Sequence, residues 1–335
     1  MSEIAVIGAG AWGTAIAIAV GRGGTHRVRL WAYEKEVTES IAARRVNEMY
    51  FPGFRVPEAV RPTSSLEEAL AGTEIVASVM PSHHCRRVYQ QMAPHVTGDM
   101  ILVSATKGIE NKTLLRMTEV AAEVLEGAGV RAQIGALSGP SFAKEVARGD
   151  PTAVAVAFRD RNLASRVQKE FSDAIFRVYT NDDVVGVELG GALKNIIAIA
   201  AGVCDGLGLG HNTVAALITR GLAEITRLAV ACGARREIMF GLAGMGDLVL
   251  TCTGGLSRNR TVGQELGRGR NLESIMADMQ GAVAEGVHTI HAALGLAQRH
   301  QVEMPITEQM NAVLHQGKSP EDAIRELLSR PAGEE

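Results

Sequence analysis

The first thirteen residues restrict the fold more than any other stretch of the chain. Ile4-Ala5-Val6-Ile7 is a short apolar run that passes directly into Gly8-Ala9-Gly10-Ala11-Trp12-Gly13, and an apolar stretch of helical character follows. A buried strand, then G-x-G-x-x-G, then a helix is the order of a dinucleotide-binding turn. In such a turn Gly8 permits the tight bend and Gly10 lets the backbone approach a pyrophosphate. Gly13 allows close helix-on-strand packing, and the amides at the helix start, from Ala11 and Trp12 onward, face the anion. A second strand, Arg27 to Trp31, ends beside Tyr33 and Glu34, about 20 residues past the turn, where an acid that reads the adenosine ribose belongs.

The same alternation continues to about residue 180. Strand-like runs are expected at Ile4–Ile7, Val28–Trp31, Ile75–Val79, Met100–Val103, Gln133–Leu137, Thr152–Ala157 and Ile175–Val178. Strands that alternate with helices imply an α/β fold with a doubly wound parallel sheet of Rossmann type, its ligand crevice at the strand C-termini. Pro81-Ser82, Lys107-Gly108 and Ser138-Gly139-Pro140 follow three of those strands and so fall at that crevice, although turn chemistry alone also explains their Gly and Pro. Beyond about residue 185 long apolar-periodic segments rich in Ala, Leu and Ile predict an all-α second domain. The expected division is a dinucleotide-binding domain over 1–185 and a helical substrate domain over 186–335, as a chain of 335 residues exceeds the usual single-core size. Pro331 to Glu335 is expected to be a frayed tail.

Charge and cysteine usage exclude several classes. A net charge of −3, with no basic cluster interleaved with aromatics, argues against a nucleic-acid partner. Cys85, Cys204, Cys232 and Cys252 are far apart and form no C-x-x-C pair, which argues against structural zinc or a disulfide framework and fits a reducing cytoplasm. A strand and Gly turn begin within four residues of Met1, so no signal peptide is expected. The longest nonpolar helix, predicted near 189–204, falls short of the ~20 residues that span a bilayer and carries a central lysine, so no membrane insertion is expected. His288 and His291 lie at i, i+3 and His83-His84 are adjacent, but neither pair has a carboxylate or thiolate partner, and no metal is expected.

Chemistry concentrates in the second half. Between Leu189 and Cys204 the only polar side chains are Lys194 and Asn195. A buried ammonium must be paired, neutral or open to a polar cleft, and snorkelling to water at a domain interface is the structural alternative. Asp247 is the obvious counter-charge, and a helix over 247–251 places Thr251 on its face. Ser257-Arg258-Asn259-Arg260 supplies the hydroxyl, guanidinium and amide that hold a phosphate and its neighbouring hydroxyls, or alternatively a helix cap with a basic first turn.

Six segments in order give these residues a family. They are Gly8–Gly13 with Trp12, Ser104 to Glu110 around Lys107, Leu137 to Ala143, Leu193-Lys194-Asn195, Asp205 to Gly210, and Gly241 to Arg260. Over roughly residues 3–328 the chain resembles the NAD(P)-dependent glycerol-3-phosphate dehydrogenases. The resemblance implies a Rossmann domain followed by a helical domain, and interconversion of dihydroxyacetone phosphate and sn-glycerol 3-phosphate in glycerophospholipid synthesis. It implies Lys194 as the acid/base lysine and Lys107 as a second active-site lysine that touches substrate and cofactor. Gly139, Ser141, Asn195, Asp247, Ser257, Arg258 and Asn259 are implied as substrate contacts, with Asp247 and Thr251 beside the acid/base lysine. Trp12, Ala143, Val283 and Glu285 are implied as cofactor contacts, and Arg258 reaches both ligands. A homodimer is expected, with apolar helices such as Thr213–Ala231 as interface or as core.

The end of the second strand departs from many bacterial relatives, which carry Arg or His there. Tyr33-Glu34 instead presents a carboxylate that accepts the ribose hydroxyls of NAD and repels a 2′-phosphate, so NAD is favoured over NADP, with Arg44 and Arg45 as groups within reach of such a phosphate. Two other readings compete: a β-hydroxyacid or phosphogluconate-type dehydrogenase, and a non-catalytic nicotinamide-binding redox sensor.

Overall fold

The apolar run at the N-terminus forms a strand, β1 (Glu3–Ile7), that is buried on both faces. Ile4 and Val6 enter one apolar cluster while Ala5 and Ile7 enter another, as the two-residue period of a strand requires. A computed structural model describes residues 2–279 and 284–331 of the chain. The remaining strands are β2 (Arg27–Trp31), β3 (Val46–Asn47), β4 (Phe51–Arg55), β5 (Val60–Thr63), β6 (Ile75–Ser78), β7 (Ile101–Ser104), β8 (Gln133–Ser138), β9 (Thr152–Ala157) and β10 (Phe176–Asn181).

Eight of them form one sheet in the order β10-β9-β8-β7-β6-β1-β2-β5, and β3 pairs with β4 in a separate antiparallel ribbon. The order reverses between β1 and β6, so the Gly8–Gly13 turn lies at the topological switch point where α/β sheets bind ligands. The sheet is parallel as expected apart from one junction, where β9 runs antiparallel to β8. The connection between these two strands is short, and its helix, Ala143–Arg148, is six residues long. β9 therefore starts near the end of β8 and runs back. Three strands escape sequence reading. β4 contains Pro52 and Gly53, which read as a turn; β3 has two residues; β5 carries Pro62, tolerated because this is an edge strand.

Two compact units emerge, one of residues 1–107 and 115–188, the other of residues 108–114 and 189–335. Among its described residues the second unit is helical, comprising most of Val184–Gly206 together with His211–Ala231, Asp247–Thr253, Arg258–Gly267, Leu272–Asp278, Glu285–His300, Pro305–His315 and Pro320–Ser329. Helix Val184–Gly206 is 23 residues long and apolar enough to span a bilayer by length, which corrects the shorter expectation. Most of it is buried among the protein's own helices (89% of its most apolar window), so its apolar surface already has a partner.

Glycines set its closest approach. Gly202 and Gly206 on this helix face Gly263 and Gly267 on Arg258–Gly267, and a Cβ would lie 2.0 Å from Arg260 O, 2.2 Å from Gln264 O, 1.9 Å from Ile199 O and 2.6 Å from Val203 O, respectively. Two small-residue stripes thus bring the backbones into contact, which side chains at these positions would prevent. Of the expected tail, Pro331 is exposed and residues 332–335 lie outside the described residues.

Candidate functional site

The turn after β1 has the geometry its glycines suggest, each for a different reason. Gly8 adopts φ +115°, and a Cβ there would lie 2.9 Å from the Val79 carbonyl. A Cβ on Gly13 would lie 1.8 Å from Gly8 O, so Gly13 is required by packing. A Cβ on Gly10 meets nothing within 4 Å, so no internal contact demands its small size. Gly10 caps helix Ala11–Gly21 without a side-chain hydrogen bond, leaving the first helical amides for an anion. The Trp12 indole Nε1 is buried there with no hydrogen-bond partner among the described residues. An open cradle, free amides and an orphaned donor suit the pyrophosphate and amide groups of a nicotinamide dinucleotide. Asn47, which sequence reasoning missed, is fully buried and pins the turn by donating to Ala9 O at 2.7 Å and Thr14 Oγ1 at 2.9 Å.

At the β2 end Tyr33 is exposed and Glu34 accepts a hydrogen bond from the Tyr50 hydroxyl at 2.9 Å. Burial and this carboxylate push the Tyr50 pKa up to about 12. Neither arginine weighed from the sequence is uncommitted. Arg44 pairs with Glu48 at 2.6 Å, while Arg45 donates to the carbonyls of Val56 at 3.1 Å and Val60 at 2.8 Å and to Pro57 O. The cation that does approach is Arg87, its guanidinium 5.5 Å from the Tyr33 ring centroid. The His84 pKa is lowered, first by burial and then by Arg87, with Glu34 opposing. No sequence pattern singles out Arg87, which lies 54 residues beyond Tyr33 and meets its ring only through the fold.

Gly139, just past β8, gathers two further predicted groups. Its carbonyl accepts from Lys107 Nζ at 3.2 Å and from Ser141 Oγ at 2.9 Å. Gly139 adopts φ +147°, and a Cβ would lie 2.9 Å from Val154 Cα. Ala143 opens the next helix two residues after Ser141.

In the helical unit Lys194 is buried and paired. Its Nζ donates to Asp247 Oδ1 at 2.5 Å and to Thr251 Oγ1 at 2.8 Å, and the Thr251 hydroxyl is 2.6 Å from Asp247 O. Lys194, Asp247 and Thr251 are 4%, 1% and 4% exposed, so snorkelling to water is ruled out. Local backbone geometry explains the meeting. One π-helical turn, Leu242–Gly246, leads into helix Asp247–Thr253, and a Cβ on Gly190 would lie 2.5 Å from Ala243 O. Gly190 precedes Lys194 by one turn and Ala243 precedes Asp247 by one turn, so this backbone contact aligns the two charges. Burial pushes the neighbouring Cys252 thiol up to about 12.

Ser257 caps helix Arg258–Gly267, its Oγ accepting from the Arg260 N–H at 3.2 Å. The hydroxyl hydrogen remains available to a ligand, so the cap and phosphate readings coexist. Arg258, the first helical residue, is exposed; desolvation lowers its pKa, and Glu285 opposes that. Asn259 is buried and bonded to Asn195. Val283 lies outside the described residues. Among the described residues no cluster of His, Cys, Asp and Glu has metal-holding geometry; the His291 and His315 rings lie tilted against each other at 4.5 Å between centroids.

Family models described as NAD-dependent glycerol-3-phosphate dehydrogenase N-terminus and C-terminus match residues 3–164 and 183–325. A glycerol-3-phosphate dehydrogenase [NAD(P)+] of Koribacter versatilis is 68% identical over 332 residues, covering 99% of this chain and 98% of the relative. That of Acidobacterium capsulatum is 56% identical over the full length of both. The crystal structure of glycerol-3-phosphate dehydrogenase from Coxiella burnetii superposes with a TM-score of 0.93 at 40% identity, covering 98% of this chain and 99% of that one.

Proposed function

The chain belongs to the NAD-dependent glycerol-3-phosphate dehydrogenase family, and on that premise we propose that Lys194 is the acid/base group of the reversible reduction of dihydroxyacetone phosphate to sn-glycerol 3-phosphate. The observation that carries this reading is the buried Lys194–Asp247–Thr251 cluster. Bound nicotinamide nucleotide supplies or takes up the hydride. The ketone carbon gains a C–H bond, its oxygen becomes an alkoxide, and Lys194 Nζ gives that oxygen a proton. Asp247 and Thr251 hold the ammonium in place, and Lys107 adds a second positive charge toward the carbonyl oxygen. Ser257, Arg258 and Asn259 form the phosphate end. Arg258 brings a planar fork of donors, and the Ser257 hydroxyl and the helix N-terminus add to it. Gly139 and Ser141 complete the substrate contacts. Gly8, Gly10, Ala11, Trp12, Gly13, Tyr33, Glu34, Lys107, Ala143, Arg258, Val283 and Glu285 hold the nucleotide.

NAD is the preferred nucleotide in this reading, supported by the Glu34 carboxylate and by Arg44 and Arg45 being committed elsewhere. The protein works in the cytoplasm on the supply of glycerol 3-phosphate for phospholipids, with all four cysteines as free thiols. It acts as a homodimer, supported by exposed Phe240, Met245 and Val249, which line one cavity of about 500 Å³ in the helical unit.

Consumption of NADH and, separately, NADPH with dihydroxyacetone phosphate tests the reaction and the nucleotide together. NADH is expected to give the higher kcat/KM, and Glu34→Ala to narrow the difference; a preference for NADPH overturns the role of Glu34. Lys194→Met is expected to lower kcat by roughly 10²–10⁴-fold. Retention of more than a tenth of wild-type turnover would refute the acid/base assignment.

A further inference from the structure

Three charged groups of the helical unit are each followed by a buried residue, and those three buried residues are bonded to one another. Asn195 follows Lys194, Asn259 follows Arg258, and Gly286 follows Glu285. The Asn259 amide is engaged at both ends. Its Nδ2 donates to Asn195 Oδ1 at 3.0 Å, and its Oδ1 accepts from the Gly286 N–H at 2.9 Å. Asn195 is 4% and Asn259 8% exposed. There is no slack around the acceptor, since a Cβ on Gly286 would lie 2.7 Å from Asn195 O and 2.9 Å from Asn259 Oδ1. Helix Glu285–His300 receives no side-chain cap from its own N-cap residue, Ala284. Asn259, from another helix, therefore supplies an acceptor for one of its first amides.

We propose that Asn259 and Asn195 are positioning residues, and that the relay Asn195–Asn259–Gly286 sets where Glu285 stands relative to Arg258 and Lys194. The inference rests on the roles proposed above for those three charged groups. One amide network then registers a cofactor contact, a phosphate contact and the proton donor. Losing it disturbs nucleotide binding even when no substrate is present. A role of Asn259 confined to touching substrate would not do so.

The test measures the NADH dissociation constant of the full-length protein without substrate, alongside kcat/KM for dihydroxyacetone phosphate. Asn259→Ala is expected to weaken NADH about tenfold as well as lowering kcat/KM. Asn195→Ala leaves Asn259 as the acceptor for the Gly286 N–H and is expected to bind NADH within about twofold of wild type while kcat/KM falls, and the double variant to fall within about threefold of the worse single, because members of one relay are not additive. Asn259→Asp keeps an acceptor for the Gly286 N–H and loses the donor to Asn195. It is expected to bind NADH within twofold of wild type while kcat/KM falls, and it tests the relay even if the alanine variants fold poorly. Unchanged NADH binding in Asn259→Ala, weakened NADH binding in Asn259→Asp, or multiplicative losses in the double variant overturn the relay. Glu285→Gln separates this from the underlying reading. If that variant binds NADH like wild type, the cofactor role of Glu285 falls and takes the proposal with it. If it weakens NADH while Asn259→Ala does not, the relay alone is overturned.

Discussion

Among single residues, the glycines of the first turn separate packing from binding. Gly13→Ala drives a Cβ to 1.8 Å from Gly8 O, whereas Gly10→Ala meets open space. Overpacking of this kind costs about 1–3 kcal/mol. Gly13→Ala is therefore expected to lower the urea midpoint, and Gly10→Ala to leave it within about 0.5 kcal/mol of wild type while weakening NADH binding. A Gly10→Ala protein that bound NADH normally would remove the nucleotide from that cradle. Such residues were legible because a glycine pattern between a strand and a helix has few other meanings. Lys194 and Asp247 were legible for a related reason, as charges in apolar surroundings require each other. Asn47, Arg87 and Tyr50 were not, because an asparagine, arginine or tyrosine in a polar stretch carries no mark of the distant group it meets.

Whole elements are tied down by carboxylates from elsewhere in the chain. Glu224, on helix His211–Ala231, accepts from Ile306 N at 2.8 Å, Thr307 N at 2.9 Å and Thr307 Oγ1 at 2.7 Å, and so caps helix Pro305–His315 from outside. Glu188 does the same for helix Met117–Gly127, accepting from Thr118 N at 2.9 Å and Thr118 Oγ1 at 2.6 Å and pairing with Arg116. Neither cap is visible in a local sequence window, since each donor and acceptor pair is separated by at least 70 residues. Burial raises both carboxyl pKa values above the usual glutamate range, although their hydrogen bonds oppose it. The raised folded-state pKa means that the unfolded chain ionises first, near 4.5. These groups therefore contribute most stability below that pH and lose it as pH rises through their folded pKa. Glu224→Gln removes an acceptor and is expected to cost about 1–3 kcal/mol at pH 4, with the gap to wild type narrowing as pH rises. Urea midpoints at several pH values check this, and a gap that widens toward neutral pH contradicts it.

For the molecule as a whole, each of the two units has its own apolar interior, and both tryptophans, Trp12 and Trp31, belong to the first. Tryptophan fluorescence thus reports unfolding of that unit, while far-ultraviolet circular dichroism weights the helical one. At a hundred times its dissociation constant a ligand stabilises its binding unit by about 2.7 kcal/mol. NAD is expected to move the fluorescence transition further than the dichroism transition; equal shifts of both would show a single cooperative unit. A change of apolar period near residue 185 was readable in the sequence, and the step between the two units comes after Glu188. The assignment of residues 108–114 to the later unit was not readable, because nothing in Gly108 to Leu114 signals a partner far along the chain. Leu114 holds a left-handed backbone at φ 64°, and its side chain fills the space a Cβ would take on Gly295. During translation the ribosome must add about 180 further residues before Gly295 exists, roughly 10 to 35 s at ordinary elongation rates. Over that interval the nascent chain carries Leu114 without its mate, a window in which a chaperone that grips short apolar segments has a defined place to hold.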